Sequence, residues 1–172
     1  MKRTINLSRS FMISSNTGDK RLFLEGFRNA YVDNKVYVEA ERKDGKKHGV
    51  EMILTDDHEV LLENCYYEGK LHGYSRVYFR GKLLDERHYV DGEPRGPYRH
   101  FHLCGNIRTN AYYTNDRYDG KEKCWYEHFY PSGAIQERGY MYEGKKDGTH
   151  FEWDEQGKEI RRRYFVYGFE EK

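Results

Sequence analysis

Cysteine is scarce in this chain: only Cys65, Cys104 and Cys124 occur among 172 residues. An odd, widely spaced set does not make a disulfide framework and fits a reducing, intracellular compartment. An excess of one charge is missing too, since 30 Lys and Arg face 29 Asp and Glu for a formal net charge of +1. That balance argues against a nucleic-acid binder working by bulk positive charge, because such binding rests on neutralising phosphates. Long apolar runs are absent: 34% of the residues are charged, mean hydropathy is −1.09, and no stretch reads as a membrane-spanning helix. After Lys2 and Arg3, the apolar Ile5, Leu7, Phe11, Met12 and Ile13 are interrupted by Asn6, Ser8, Arg9 and Ser10, so no signal-peptide core forms. The expected location is intracellular and soluble, free or within a virion or other assembly. Aliphatic residues are few as well, Val, Ile, Leu and Phe numbering 8, 6, 10 and 9. With a high net charge so low a share would signal disorder. Here 17 Tyr and 2 Trp supply the missing apolar area.

What the chain does contain is a repeat. The steps Lys43-Asp44-Gly45, Tyr67-Glu68-Gly69, Val90-Asp91-Gly92, Tyr118-Asp119-Gly120 and Tyr142-Glu143-Gly144 recur, and Val166-Tyr167-Gly168 begins a sixth. The five glycine intervals are 24, 23, 28, 24 and 24 residues, the long one holding an insertion around Thr114 to Arg117. Four residues after the first glycine stands a second, at Gly49, Gly73, Gly96 and Gly148, with Cys124 as the exception. Nine residues after it comes a large apolar side chain: Leu54, Tyr78, Phe101, Phe129 and Trp153. Short, aromatic-rich segments bounded by glycine are strand signals, and each unit reads as a β-hairpin. The expected fold is all-β: one elongated, single-layer antiparallel sheet of tandem hairpins. Residues 42–172 form the repeats, and residues 1–41 form a degenerate capping repeat that protects one open end.

The unit Tyr67-Glu68-Gly69-Lys70-Leu71-His72-Gly73, followed by Tyr78-Phe79-Arg80-Gly81-Lys82-Leu83, resembles the MORN repeat, in the variant form of YwqK-type bacterial antitoxins. The resemblance runs from about Arg42 to Gly168 and departs from the pattern at Cys124 and in the N-terminal 41 residues. It implies a hairpin ribbon that serves as a protein-binding surface, found in antitoxin or immunity modules and in giant viruses and sometimes suspected of contacting lipid. It implies no shared catalytic residue.

The residues themselves offer little chemistry. His100, His102 and Cys104 alternate along one segment, with Cys124 and His128 in the next unit, but equivalent places in adjacent hairpins lie roughly 10 Å apart, too far for one zinc ion. Thr55-Asp56-Asp57-His58-Glu59 falls where the unit turns and reads as solvated. Arg161-Arg162-Arg163 is split by strand alternation, which sends Arg162 to the opposite face. No catalytic residue, metal or cofactor is therefore expected. Tyr78, Phe101, Phe129 and Trp153 are read as a structural aromatic ladder, and Gly45, Gly49, Gly69, Gly73, Gly92, Gly96, Gly120, Gly144 and Gly148 as turn glycines. The remaining large rings, Tyr74, Tyr98, Trp125 and Tyr126, are the candidates for contact with a partner, because Tyr and Trp are enriched in binding hot spots. The functional expectation is a non-catalytic protein-binding scaffold, with self-association into a homo-oligomer or larger assembly. The alternatives are an antitoxin that covers a toxin enzyme, or an adaptor at a membrane surface.

Overall fold

The computed structural model describes residues 3–5, 36–55, 57–114 and 123–171. The expected capping repeat falls largely outside these residues, as do Gly120 and the insertion around it.

The described strands are β1 (Arg3–Ile5), β2 (Val36–Lys43), β3 (Lys46–Thr55), β4 (Val60–Tyr67), β5 (Lys70–Phe79), β6 (Lys82–Val90), β7 (Glu93–Phe101), β8 (Ile107–Tyr113), β9 (Lys123–Phe129), β10 (Ile135–Tyr142), β11 (Lys145–Trp153), β12 (Glu159–Val166) and β13 (Phe169–Glu171). They form one sheet in which spatial order is sequence order, each strand antiparallel to the one before it. Among the described residues no helix is long and apolar enough to cross a membrane, and no cysteine is joined in a disulfide. The single-layer hairpin sheet read from the sequence is the observed architecture.

Two kinds of turn punctuate it. At one end Asp44-Gly45, Glu68-Gly69, Asp91-Gly92, Glu143-Gly144 and Tyr167-Gly168 form two-residue hairpins in which both residues have positive φ, the backbone that matches strand twist. At the other end most loops are three residues longer than a bare strand reversal, with the left-handed place taken by Gly105, Gly133 or Gly157 and, in the first, by His58 at φ 64°. His58 and its neighbours Asp57 and Glu59 are exposed, as expected of a solvated turn.

The second glycine of each unit, expected at a turn, lies instead inside a strand. At Gly49, Gly73, Gly96 and Gly148, φ lies between 79° and 99° and the pairing register shifts, so a bulge interrupts the ladder. The bulge turns a carbonyl toward the next unit: Gly69 N–H donates to Lys47 O, Gly92 to Leu71 and Gly168 to Lys146, each at 2.8 Å. These three tight turns are thereby hung on the bulge of the unit before them, which ties the G-x-x-x-G spacing to the stacking of the units.

The two faces differ. On the inner face a row runs across the strands through Glu51, Asn64, Ser75, Arg87, Tyr98, Ala111, Tyr126 and Gly139, continuing at His150 and Arg163. Beside it lies a second through Ile53, Leu62, Val77, Asp85, His100, Thr109, His128, Glu137 and Glu152. Most fully buried side chains belong to these rows, joined by Leu54, Leu61, Leu84 and Phe165. The aromatic ladder expected as core sits instead on the outer face. Tyr78, Phe101, Phe129 and Trp153 are only half-buried, whereas Leu54 at the same place in its unit is buried. A flat sheet with no second layer covers rings on that face only by their lateral neighbours.

Candidate interaction surface

The outer face carries two parallel rows. The first alternates in charge: Glu63, Arg76, Glu86 and Arg99 stand side by side on β4 to β7, and Glu127 faces Arg138 across β9 and β10. Arg76 bonds Glu86 at 2.8 Å and Glu63 at 3.3 Å, while Arg99 reaches Glu86 at 3.2 Å. Glu86 is buried between its two arginines, and the Arg76 guanidinium is held above its ordinary pKa chiefly by its bond to Glu86. Arg138 bonds Glu127 at 2.9 Å, and Arg162 pairs with Glu159 while stacking over Phe151. Cross-strand opposite charges stabilise a sheet modestly, and here they also fix which arginines are already engaged.

The second row, one step closer to the tight turns, is aromatic. Tyr74 faces His88, Pro97 faces Tyr112, and Tyr112, Trp125 and Tyr140 stand directly side by side on β8, β9 and β10; Thr149 faces Tyr164. Tyr74, Tyr112, Tyr140 and Tyr164 are 37%, 46%, 48% and 49% exposed, the outward counterpart of the buried inner row. Each ring therefore stands in water beside charges that are mostly paired with one another.

The four rings proposed from the sequence separate. Tyr74 lies exposed on this row, Trp125 lies on it half-buried, and Tyr98 is half-buried on the inner face. There Arg87 stacks over Tyr98 at 4.5 Å, and burial holds the Tyr98 hydroxyl far above its ordinary pKa. Tyr126, expected at the surface, is 5% exposed. The reason is its neighbours: Ala111 and Gly139 flank it on either strand and leave room for the ring to lie down. Tyr112, Tyr140 and Tyr164 were not singled out from the sequence. Their signal is strand alternation: each is an even step from residues already placed on that face.

Buried polar chemistry gathers on the inner face of β9 to β11. His150 is 1% exposed, and a Cβ on Gly139 would overlap its ring. Its Nε2–H donates to Tyr140 O at 2.9 Å, which leaves Nδ1 as an acceptor 3.0 Å from the Tyr126 hydroxyl. That hydroxyl also reaches Glu137 at 2.7 Å, so it has one proton and two acceptors. Lys146 completes the cluster on Glu137. Burial lowers the pKa of His150 and of His128. Burial alone would raise the Glu137 carboxyl, but hydrogen bonds from Lys146 and Tyr126 outweigh it and hold the carboxyl below its usual range. Burial and the bond to Glu137 push the Tyr126 hydroxyl far up. Three neighbouring histidines are answered locally: His100 by Asp85, His102 by Phe129 O and His128 by Thr109. Cys104 lies against Pro131 O, and among the described residues no three His, Cys, Asp or Glu side chains converge as a metal site. The arginine run divides as alternation requires, Arg161 and Arg163 both to Glu152 and Arg162 to Glu159.

No protein-family profile matches the chain, and neither does any curated protein. Among solved structures, it is similar to the crystal structure of a TarM mutant of S. aureus in complex with fondaparinux, α-GlcNAc-glycerol and UDP, at 9% identity and a TM-score of 0.36. That match covers 78% of this chain and 24% of the other, so the chain spans about a quarter of that structure's length.

Proposed function

We propose that the protein is a non-catalytic binding ribbon whose outer aromatic row engages another protein. One observation carries the reading: Tyr74, Tyr112, Tyr140 and Tyr164 stand exposed along a single face, with Trp125 between two of them. Large, rigid rings with a polar tip bury much area at little entropic cost, which is why they dominate binding hot spots. The adjoining row of opposed charges would set register and partner choice rather than raw affinity. The resemblance of the hairpin units to MORN repeats points the same way. The role is that of a scaffold, in which the ribbon holds partners or further copies along its length.

Affinity capture from the native source at moderate salt tests it. The wild-type chain is compared with a variant carrying Trp125→Ala, Tyr140→Ala and Tyr164→Ala. The expected result is one or more stoichiometric partners that the variant loses while keeping its β-sheet circular dichroism. Equal capture by both would overturn the assignment of this face. Recovery of a single small enzyme, inhibited on binding, would replace the scaffold with an antitoxin-like inhibitor.

A further inference from the structure

The aromatic row is not flat. A cleft of about 440 Å³ opens in it over Gly96, walled by Tyr74, His88, Pro97 and Tyr112 with Arg95 beside the glycine. Its origin is the bulge. In the first two units the space over the bulge glycine is occupied: a Cβ on Gly49 would overlap Glu41, and one on Gly73 would meet Cys65 at 3.1 Å. Over Gly148 nothing lies within 4 Å, and over Gly96 the nearest side chain, His88, lies at an ordinary contact distance of 3.6 Å. His88 is fixed there, because its Nδ1 donates to Arg95 O at 2.9 Å and its ring meets Tyr74 edge-on at 5.2 Å. Pro97, directly after the glycine, adds an apolar wall facing Tyr112.

The electrostatics of the cleft have one sign. No carboxylate lines it, and Arg95 is its cation. Arg95 is ion-paired with Glu93 at 3.6 Å, and because both side chains are well exposed the pair is weak and can be exchanged for a partner's carboxylate. Arg76, stacked on Tyr74 at 4.7 Å, is committed to Glu63 and Glu86. In the last unit the residue before the bulge glycine is Asp147 rather than an arginine. The same backbone device therefore presents the opposite charge two repeats away.

Resting on the reading of this face as a protein-binding surface, we infer that the Gly96 cleft is its anchor pocket. It takes a large apolar side chain of a partner polypeptide whose neighbouring residue presents a carboxylate to Arg95. The volume falls within the range of about 300–1,000 Å³ typical of small-ligand sites, ample for one aromatic side chain and its flanking backbone. Aromatic walls supply the burial, and the guanidinium fork selects a planar carboxylate over a neutral or cationic end.

The test is a ¹H–¹⁵N NMR titration of the full chain with 4-phenylbutyrate, 4-phenylbutanol, 4-phenylbutylamine and inorganic phosphate as probes. Phenylbutyrate is expected to shift the amides of Gly96, His88 and Tyr112 together. It should bind at least threefold more tightly than the alcohol, and Arg95→Gln should erase that preference while Arg95→Lys keeps part of it. Equal binding of the amine, shifts scattered over the sheet, or phosphate matching phenylbutyrate would overturn the proposal, the last marking a simple anion site. Trp125, Tyr140 and Tyr164 do not line the cleft, so the two readings fail separately. A silent titration with capture still dependent on those three rings removes the pocket and leaves the surface. An intact titration with capture independent of them removes that protein-binding face and, with it, the polypeptide as occupant.

Discussion

The inner face solves one problem in two ways. From β3 to β6 it is filled by aliphatic side chains, Ile53, Leu61, Val77 and Leu84, with Leu54 on the opposite side. The polar groups buried on the inner side of that half are answered in small local sets, Glu51 by Lys47 and Tyr66, Asn64 by Ser75 and Thr55 by the Glu59 amide. From β9 to β12 the first row holds Tyr126 and His150 around a glycine with Phe165 beside them, and Tyr126, His150, Glu137 and Lys146 are joined into one hydrogen-bonded network. Aliphatic packing is indifferent to pH and tolerates relaxation. A largely buried hydrogen-bonded cluster demands that every proton be placed. One sheet thus has a half held by burial and a half held by complementarity.

The largest effect is expected in the aliphatic half. Leu61 is 1% exposed at a bulge between β3 and β4, where no second layer can collapse into the space it leaves. Leu61→Ala should cost roughly 2–5 kcal/mol. Because units in a repeat array rely on their neighbours, hydrogen exchange should show the loss concentrated in β3 to β6. A loss under about 1 kcal/mol in denaturant titration, or one spread evenly over the sheet, would dissolve the distinction between the halves.

Next in size is an overpacking in the other half. Gly139→Ala places a methyl group into the His150 ring, and forced side-chain displacement in a packed interior costs about 1–3 kcal/mol. The companion change His150→Ala vacates that space, so the double variant should lose less stability than the two single losses combined. Simple additivity in the denaturation midpoints would mean that Gly139 is required for its backbone and not for the room it gives the imidazole.

The difference between the halves also marks what the sequence could and could not disclose. The fold was legible because its cause is local: Asp91-Gly92 makes a tight turn whatever surrounds it, but Gly96, read as a turn glycine, is a bulge inside β7. The alternation of Ser75 and Val77 against Tyr74 and Arg76 was legible for the same reason. Which alternating set turns inward was not, since both contain rings and charges. Tyr126 and Trp125 look equivalent as neighbours in sequence, and only the small residues placed beside Tyr126 by strand pairing, Ala111 and Gly139, bury one while the other stays half-buried on the outer face. The cleft over Gly96 was hidden because it depends on what strand pairing brings around the bulge: Glu41 and Cys65 crowd the equivalent glycines, whereas His88, tied to Arg95 O, stays at ordinary contact distance and shares the walls with Tyr74, Pro97 and Tyr112.

The finest distinction is in acid. His128 and His150 are held below the ordinary histidine pKa of about 6.5 by burial, so the unfolded chain binds their protons first as pH falls. Stability then rises with pH wherever the unfolded state carries more protons. The contribution of these two groups is complete above about 6.5 and is lost as pH falls through their lowered values. Glu137, also lowered, extends the loss further down, since its favourable pairing with Lys146 and Tyr126 ends when it is protonated. Around His150, with Arg163 opposite it on β12, the charges are mixed, Lys146 opposing its protonation and Glu137 favouring it. Between pH 7 and 5, exchange protection corrected for the intrinsic rate should weaken in β9 to β11 before β3 to β6, where no histidine is buried. His150→Phe, an apolar ring in the same space, should flatten that difference. If both halves weaken in step, or if the phenylalanine variant keeps the slope, the acid sensitivity belongs to the whole sheet and the buried imidazole is only another packed ring.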